Sequence, residues 1–282
     1  MKPEVTFFIP VKNGAPYIEE CIGSILSQSF QNWRLVILDN QSSDDTYSLC
    51  SKYLSDKRIN YMLNDTDVGA LQNFNKCLEL SDTKYHAILS HDDLYSCNRA
   101  VEDSFAILDG DPDICAVYSH IDWIDARSTK VMTRKFFDTG KVPSNKVARK
   151  SILSCRNLFG VPLLVRRAAA IGKKYDSAFY STGDIEFSIA IGRGLSIYVI
   201  NRPCYSIRFH SANNTMRDSS RIRSELLKVA EKHGISLGVG PRLLMVISDF
   251  NMQLKKFLFY LYLDHIRGFG MTRDRRKNDF KV

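Results

Sequence analysis

The sequence predicts an α/β protein in which helices flank a mostly parallel central sheet, with a helical extension at the C-terminal end. Two observations predict it. Over residues 1–110, short apolar runs closed by turn residues alternate with stretches of helical periodicity, an order that requires crossover connections and parallel strand pairing. The fourth apolar run, residues 84–89, leads into adjacent carboxylates at Asp92 and Asp93, where an open parallel sheet delivers side chains into a ligand crevice.

Residues 5–9 are rich in β-formers and close on Pro10, which leads into the loop Pro10-Val11-Lys12-Asn13-Gly14. Tyr17, Ile18, Cys21, Ile22, Ile25 and Leu26 recur at helical spacing and predict a helix over 16–28, with Pro16 in its first turn. Residues 35–38 form a second buried strand ending at Asp39, and the polar turn 40–46 opens a helix through Tyr53 for which Asp44 is a suitable cap. A third strand spans 59–63, and Asp67-Val68-Gly69-Ala70 leads into a helix carrying Leu71, Phe74, Asn75 and Leu78. After Leu94-Tyr95 another helical pattern follows, then a strand over 113–119 that continues through 121–125. Residues 127–150 are charged and mixed and read as a mobile or substrate-adapted loop, and 197–200 predict a short strand. Ile222, Leu226, Leu227 and Val229 mark an amphipathic helix, and 243–266 a second, interrupted by Asp249, Lys255, Lys256 and Asp264.

With 44% hydrophobic residues in 282, the chain has ample material for a buried core. Its net charge of +8 favours anionic company such as nucleotides, phosphorylated lipids or a membrane face. The basic excess gathers late, in 217–223 and 273–277, without the interleaved aromatics of a nucleic-acid face, so nucleic acid is not an expected partner. Seven cysteines, odd in number and without C-x-x-C spacing, argue against a disulfide framework or a zinc site and for a reducing compartment. Residues 5–9 are too short an apolar run for a signal peptide and no window holds a spanning segment, so a cytoplasmic location is expected.

Neither G-x-G-x-x-G nor G-x-x-x-x-G-K-[ST] follows the first strand. A diphosphate must then be held another way. Asp92 and Asp93 suit Mg2+ or Mn2+, hard ions that bind through one or two carboxylates plus phosphate oxygens.

Pro10-x-x-Asn13, the strand ending at Asp39 with Ser42-Ser43-Asp44-Asp45-Thr46 after it, Gly69-x-x-x-Asn73-x-Asn75 and Asp92-Asp93 together resemble the nucleotide-sugar half of family 2 glycosyltransferases with the GT-A fold. The resemblance covers roughly residues 4–215: a nucleotide-sugar-binding half, 1–110, and an acceptor half, 111–215, with 216–282 as the helical extension. It implies that Pro10, Asn13 and Asp39 bind the donor, Asp39 accepting a hydrogen bond from the base, commonly uracil. Gly69 and Asn73 match the segment that lies against ribose and diphosphate. Asp92 matches the acid that reaches the ribose or donor sugar, Asp93 the acid that binds the metal, and His210 of Arg208-x-His210 the histidine that completes the metal shell in some members. Lys12 stands where many relatives carry an aromatic residue that stacks on the base, and His91 is a positional residue within the acid motif. Residues 181–190 resemble the segment that supplies the general base of inverting enzymes, which implies Asp184 in that role. Gly183 replaces the Glu often found before that Asp, and Glu186 is the reserve base.

The implied activity is inverting transfer of a sugar from a nucleoside diphosphate donor, UDP-linked, to a hydroxyl of a glycan or lipid-linked acceptor in cell-surface polysaccharide or lipopolysaccharide assembly. A non-catalytic sugar-nucleotide or glycan-binding protein of the same fold competes with it, as does a nucleotidyltransferase, for which only Lys12 and Gly14 speak. Residues 243–266 suit either a peripheral helix in a membrane interface or one packed on the catalytic domain or a dimer partner.

Overall fold

The computed structural model describes residues 2–135, 138–209 and 219–237. The first half comprises β1 (Val5–Val11), α1 (Ile18–Leu26), β2 (Trp33–Asp39), α2 (Thr46–Ser51), β3 (Ile59–Leu63), α3 (Ala70–Glu79) and β4 (Tyr85–Ile88). Its strands pair in parallel in the order β3-β2-β1-β4, as the alternation of strand and helix demands. Every residue of β1 is buried, the mark of a central strand covered on both faces. Val11 lies opposite Asp39 and Phe8 opposite Ile88, so the loops after β1, β2 and β4 emerge along one edge. Asp45, not Asp44 as expected, stands at the N-cap of α2; one residue earlier, the Asp44 carboxylate accepts from the Thr46 N–H at 3.1 Å and from the Ala15 N–H at 3.0 Å, joining two of those loops.

The second half comprises β5 (Leu94–Tyr95), α4 (Ala100–Gly110), β6 (Ile114–Ile124), β7 (Lys130–Arg134), β8 (Gly140–Pro143), α5 (Ser144–Ser154), β9 (Leu164–Arg166), α6 (Arg167–Ala170), α7 (Gly183–Ile191), β10 (Ser196–Arg208) and α8 (Ser219–Lys232). The sheet continues from β4 through β9, β6 and β10 to β5, with β9 antiparallel to both neighbours. The short strand expected at 197–200 is part of a longer one, β10, described to Arg208, whose register shifts between Ile200 and Tyr205 carry it from β8 at its start to β5 at its end.

Residues 127–150, expected to form a loop, instead hold β7, β8 and much of α5. Asp125 folds the chain back there, its Oδ1 accepting from the N–H groups of Arg127 and Thr129, both at 2.9 Å, so that β7 pairs antiparallel with β6. One core lies under the first half around Phe7, Ile9, Ile22, Trp33 and Leu35, and a second under the second half around Tyr118, Phe159 and Phe187. Leu226, Val229 and Ala230 of α8 are buried in the second core, so the first helix of the expected extension packs on the acceptor half. His210 and the helix expected at 243–266 lie outside the described residues. Among the described residues, no helix is long and apolar enough to cross a membrane.

Candidate active site

Asp39 ends β2 at the open sheet edge, almost wholly buried. Its Oδ1 accepts from the Ser42 N–H at 2.7 Å and its Oδ2 from the Tyr61 hydroxyl. Asn13, with a left-handed φ of 54°, accepts from the Ser43 N–H at 2.8 Å and donates its own N–H to Ser42 Oγ at 2.8 Å, bracing the loop that follows Asp39. Pro10 is buried within β1 opposite Leu38. Lys12 forms an ion pair with Asp67, whose carboxylate also accepts from the Asn40 amide and, at 3.0 Å, from the Gly69 N–H. Gly69 is exposed with φ 77°, a conformation that suits glycine, at the start of α3.

Asn73 points inward. Its Nδ2 donates to the Leu38 carbonyl at 3.0 Å and its Oδ1 accepts from Asn64 Nδ2 at 2.9 Å, so a side chain expected against the ribose is used to fasten α3 to β2.

The two adjacent acids separate sharply. Asp93 is 7% exposed and accepts from the Arg208 N–H at 3.0 Å and the Tyr205 hydroxyl at 3.2 Å. Burial and the neighbouring Asp92 push its carboxyl well above the ordinary range in spite of those hydrogen bonds. Both oxygens of Asp93, the acid expected to bind the metal, are thus engaged by β10. Asp92 is the half-buried member of the pair, its carbonyl oxygen held by Arg208 Nε at 2.9 Å. The guanidinium of Arg208 is itself fully buried and also reaches the Asp125 carbonyl at 3.2 Å, Ser128 Oγ at 2.9 Å and Glu20 Oε2 at 2.9 Å, while stacking over Tyr17. Burial would raise the Glu20 carboxyl, but the Ser128 hydroxyl and Arg208 bring it below its usual value. One cation thus ties α1, the acid loop, the turn after β6 and the end of β10 together.

Among the described residues, no three His, Cys, Asp or Glu side chains cluster as metal ligands. A hard cation that takes one carboxylate and completes its shell with phosphate oxygens and water needs no such cluster, and Asp92 fits that smaller demand.

Asp184 lies in the first turn of α7, exposed to solvent yet surrounded by protein on its other sides. That enclosure raises its carboxyl above the usual range, against hydrogen bonds from the Ile185 N–H at 2.8 Å and Asn157 Nδ2 at 2.6 Å. A Cβ added to Gly183 would come within 3.9 Å of Leu71 Cδ2, which places the start of α7 against the first turn of α3, just beyond Gly69. The side chain of Asn75 on α3 exchanges two hydrogen bonds with the backbone of Tyr175, donating to its carbonyl at 2.9 Å and accepting from its N–H at 2.7 Å. The donor half therefore holds the approach to α7.

Glu186 turns the other way and is 1% exposed. It pairs with Lys232 and His233, each at 2.9 Å; burial would raise its carboxyl, but those two partners bring it below its usual value. A buried carboxylate committed to the end of α8 is out of place as the reserve base. Glu225 of α8 accepts from the Ser181 N–H at 2.8 Å and the Thr182 hydroxyl at 3.1 Å, so α8 grips the chain on both sides of Asp184.

The family model for "Glycosyl transferase family 2" matches residues 6–171. The chain belongs to that family. TuaG of Bacillus subtilis, a putative teichuronic acid biosynthesis glycosyltransferase, is 36% identical over 99 residues, which cover 35% of this chain and 39% of TuaG. WfgD of Escherichia coli, a UDP-Glc:alpha-D-GlcNAc-diphosphoundecaprenol beta-1,3-glucosyltransferase, is 27% identical over 151 residues, 54% of this chain and 57% of WfgD. The chain thus spans between about two fifths and three fifths of these two relatives. S. aureus TarS in complex with UDP-GlcNAc superposes with a TM-score of 0.61 at 15% identity over 88% of this chain and 79% of that one. A Pyrobaculum calidifontis mannosyltransferase in complex with GDP-Man and Mn2+ does so at 0.56 and 17%, over 89% and 70%. At these identities the likeness is one of fold, and that fold is GT-A, as expected.

Nothing local in the sequence points to Asn157 and Glu225, because their bonds to Asp184 and to Ser181 and Thr182 are made only once the fold brings distant segments together. Arg208 stood in the expected Arg-x-His pattern, but nothing local marks it as the cation that organises the acid loop.

Proposed function

We propose that this protein transfers a sugar, with inversion, from a UDP-linked donor to the hydroxyl of a glycan or lipid-linked acceptor in cell-surface polysaccharide assembly. The observation that carries this reading is Asp184: an accessible carboxylate with raised proton affinity, on a helix whose start packs against the first turn of α3. The names of TuaG and WfgD support the pathway and acceptor class, and the UDP-GlcNAc complex of TarS supports the donor class.

In this reading Asp39 receives a nucleobase N–H in place of the Tyr61 hydroxyl, and Gly69 lets the sugar-diphosphate approach the backbone. Asp92, not Asp93, holds Mg2+ or Mn2+ together with the donor diphosphate. Such an ion offsets the charge that develops on the departing nucleoside diphosphate. Asp184 takes the proton from the acceptor hydroxyl as its oxygen attacks the anomeric carbon from the face opposite the leaving group. Asn157 and the Ile185 N–H keep the carboxylate pointed while it does so. The helix dipole works against its basicity and the enclosure works for it; the net rise in proton affinity favours general-base action.

A donor screen with Mn2+, scoring nucleoside diphosphate release, tests the assignment. Asp184→Asn should lose about 10²–10⁴-fold in transfer while still binding UDP, and Asp92→Asn should weaken the response to Mn2+. Full transfer by Asp184→Asn would remove the base from this reading. Nucleotide-sugar binding without turnover in the parent protein would point to a binding module.

A further inference from the structure

We propose that Tyr61 is a specificity-determining residue of the donor site: when a nucleotide binds, its hydroxyl passes from Asp39 to a carbonyl oxygen of uracil. The inference rests on the donor reading given above and adds to it what the displaced phenol does. Asp39 is 1% exposed, so a base N–H reaches its carboxylate only by taking the place of a group that covers it. The Tyr61 hydroxyl, donating to Oδ2, is such a group. Its ring is anchored: Tyr61 is half-buried against the core of the first half, and the ring of Tyr47 meets it edge-on with centroids 5.1 Å apart. The hydroxyl can therefore turn aside from Oδ2 without leaving the neighbourhood of the base. It also keeps its proton, since burial and the adjacent Asp39 carboxylate raise the phenol far above its ordinary value. A displaced hydroxyl of this kind needs a new acceptor, because a donor left unpaired in an enclosed site is costly.

The edge of the base supplies that acceptor. Uracil presents its ring N–H between two carbonyl oxygens, an acceptor, donor, acceptor order. In the site, the Asp39 carboxylate stands between two donors, the Ser42 N–H at 2.7 Å from Oδ1 and the Tyr61 hydroxyl at Oδ2, which is the complementary order. Cytosine and adenine put an acceptor at the middle of that edge, against the carboxylate, and guanine puts a second donor beside its ring N–H. Asp39 with its flanking donors therefore favours uracil, and Tyr61 is the one of the two donors that a side-chain rotation can move.

The test compares UDP with 2-thio-UDP and 4-thio-UDP, in which sulfur, a poor acceptor, replaces one carbonyl oxygen at a time. Binding to the full chain with Mn2+ is measured by titration calorimetry for the parent and for Tyr61→Phe, which keeps the ring that packs on Tyr47 and loses only the hydroxyl. In the parent, at least one analogue should bind about five- to ten-fold more weakly than UDP, and in Tyr61→Phe that gap should close to within about two-fold. Any other effect of sulfur on the base is common to both proteins, so the difference between the gaps isolates the hydroxyl. No gap in the parent for either analogue, or a gap that persists in Tyr61→Phe, would overturn the assignment and leave the hydroxyl as no more than a cover over Asp39. Failure of the unsubstituted protein to bind UDP would instead sink the donor reading, and the role of Tyr61 with it.

Discussion

Neighbouring carboxylates at 92 and 93 look alike in the sequence, and the backbone path of the loop after β4 gives them opposite surroundings. The sequence flags the pair as chemistry but does not say which member faces the cleft, because that depends on where Arg208 and Tyr205 arrive from more than a hundred residues away. The difference is measurable. Asp93→Asn keeps the shape of the side chain, can still accept from the Arg208 N–H and can donate to the Tyr205 oxygen in place of accepting from it, so its cost should stay within about 1 kcal/mol and the Mn2+ response should survive. Asp92→Asn should shift that response ten-fold or more with little change in stability. Manganese titration of nucleoside diphosphate release, together with denaturant unfolding of both variants, reads the contrast; a metal response lost in Asp93→Asn and kept in Asp92→Asn would reverse the assignment. Arg208→Met should be the most damaging of the three, costing about 1–3 kcal/mol for each buried backbone acceptor it leaves unpaired, the Asp92 and Asp125 carbonyls, while the exposed Glu20 is left to water.

Elements of the donor half are readable because apolar periodicity and turn chemistry agree there: the expected strand at 59–63 coincides with β3, and the helix carrying Leu71 to Leu78 is α3. Agreement fails over 127–150, where β7 shows an exposed, charged outer face and its pairing with β6 is set by the Asp125 turn, not by hydrophobic alternation. At α8 the expected amphipathic helix is present, but its polar stretches conceal side chains that grip the segment around Asp184. The join between donor and acceptor halves is equally silent in the sequence, since Asn75 and Tyr175 lie a hundred residues apart. Asn75→Ala would leave the carbonyl and N–H of Tyr175 without their partner beside Phe74 and Phe187. The expected cost is about 2–3 kcal/mol, seen as a lower denaturant midpoint with an unchanged slope. Transfer should fall by more than UDP binding does, because the loosened segment leads to Asp184 and not to Asp39.

At the scale of the whole molecule, the response of stability to pH is set by groups the reaction does not use. His86 on β4 is 1% exposed, with Nδ1 3.2 Å from Ser81 Oγ and no partner for Nε2. Burial, helped by nearby Arg167, lowers its pKa from 6.5 to about 4. The unfolded chain therefore binds a proton at this site over a range where the folded chain does not, and protonation draws the equilibrium toward unfolding as pH falls below 6.5, levelling off near 4. Between pH 7 and pH 5 the loss from this group amounts to about 2 kcal/mol. Other groups add slopes of their own: Asp93, raised in the folded state, gives its greatest help at low pH and loses it as pH rises, whereas Glu186, lowered from 4.5, loses its contribution only as pH falls below that value. Bulk stability curves mix these opposing slopes, so the clean quantity is the difference between the parent and His86→Leu. That substitution removes an unsatisfied nitrogen and should cost little at pH 7. Its stability relative to the parent should then improve by about 2 kcal/mol on going to pH 5, and urea unfolding at the two pH values measures it. A difference that stays constant with pH would mean that His86 titrates normally in the folded protein, and that the strand delivering Asp92 to the cleft is open to water.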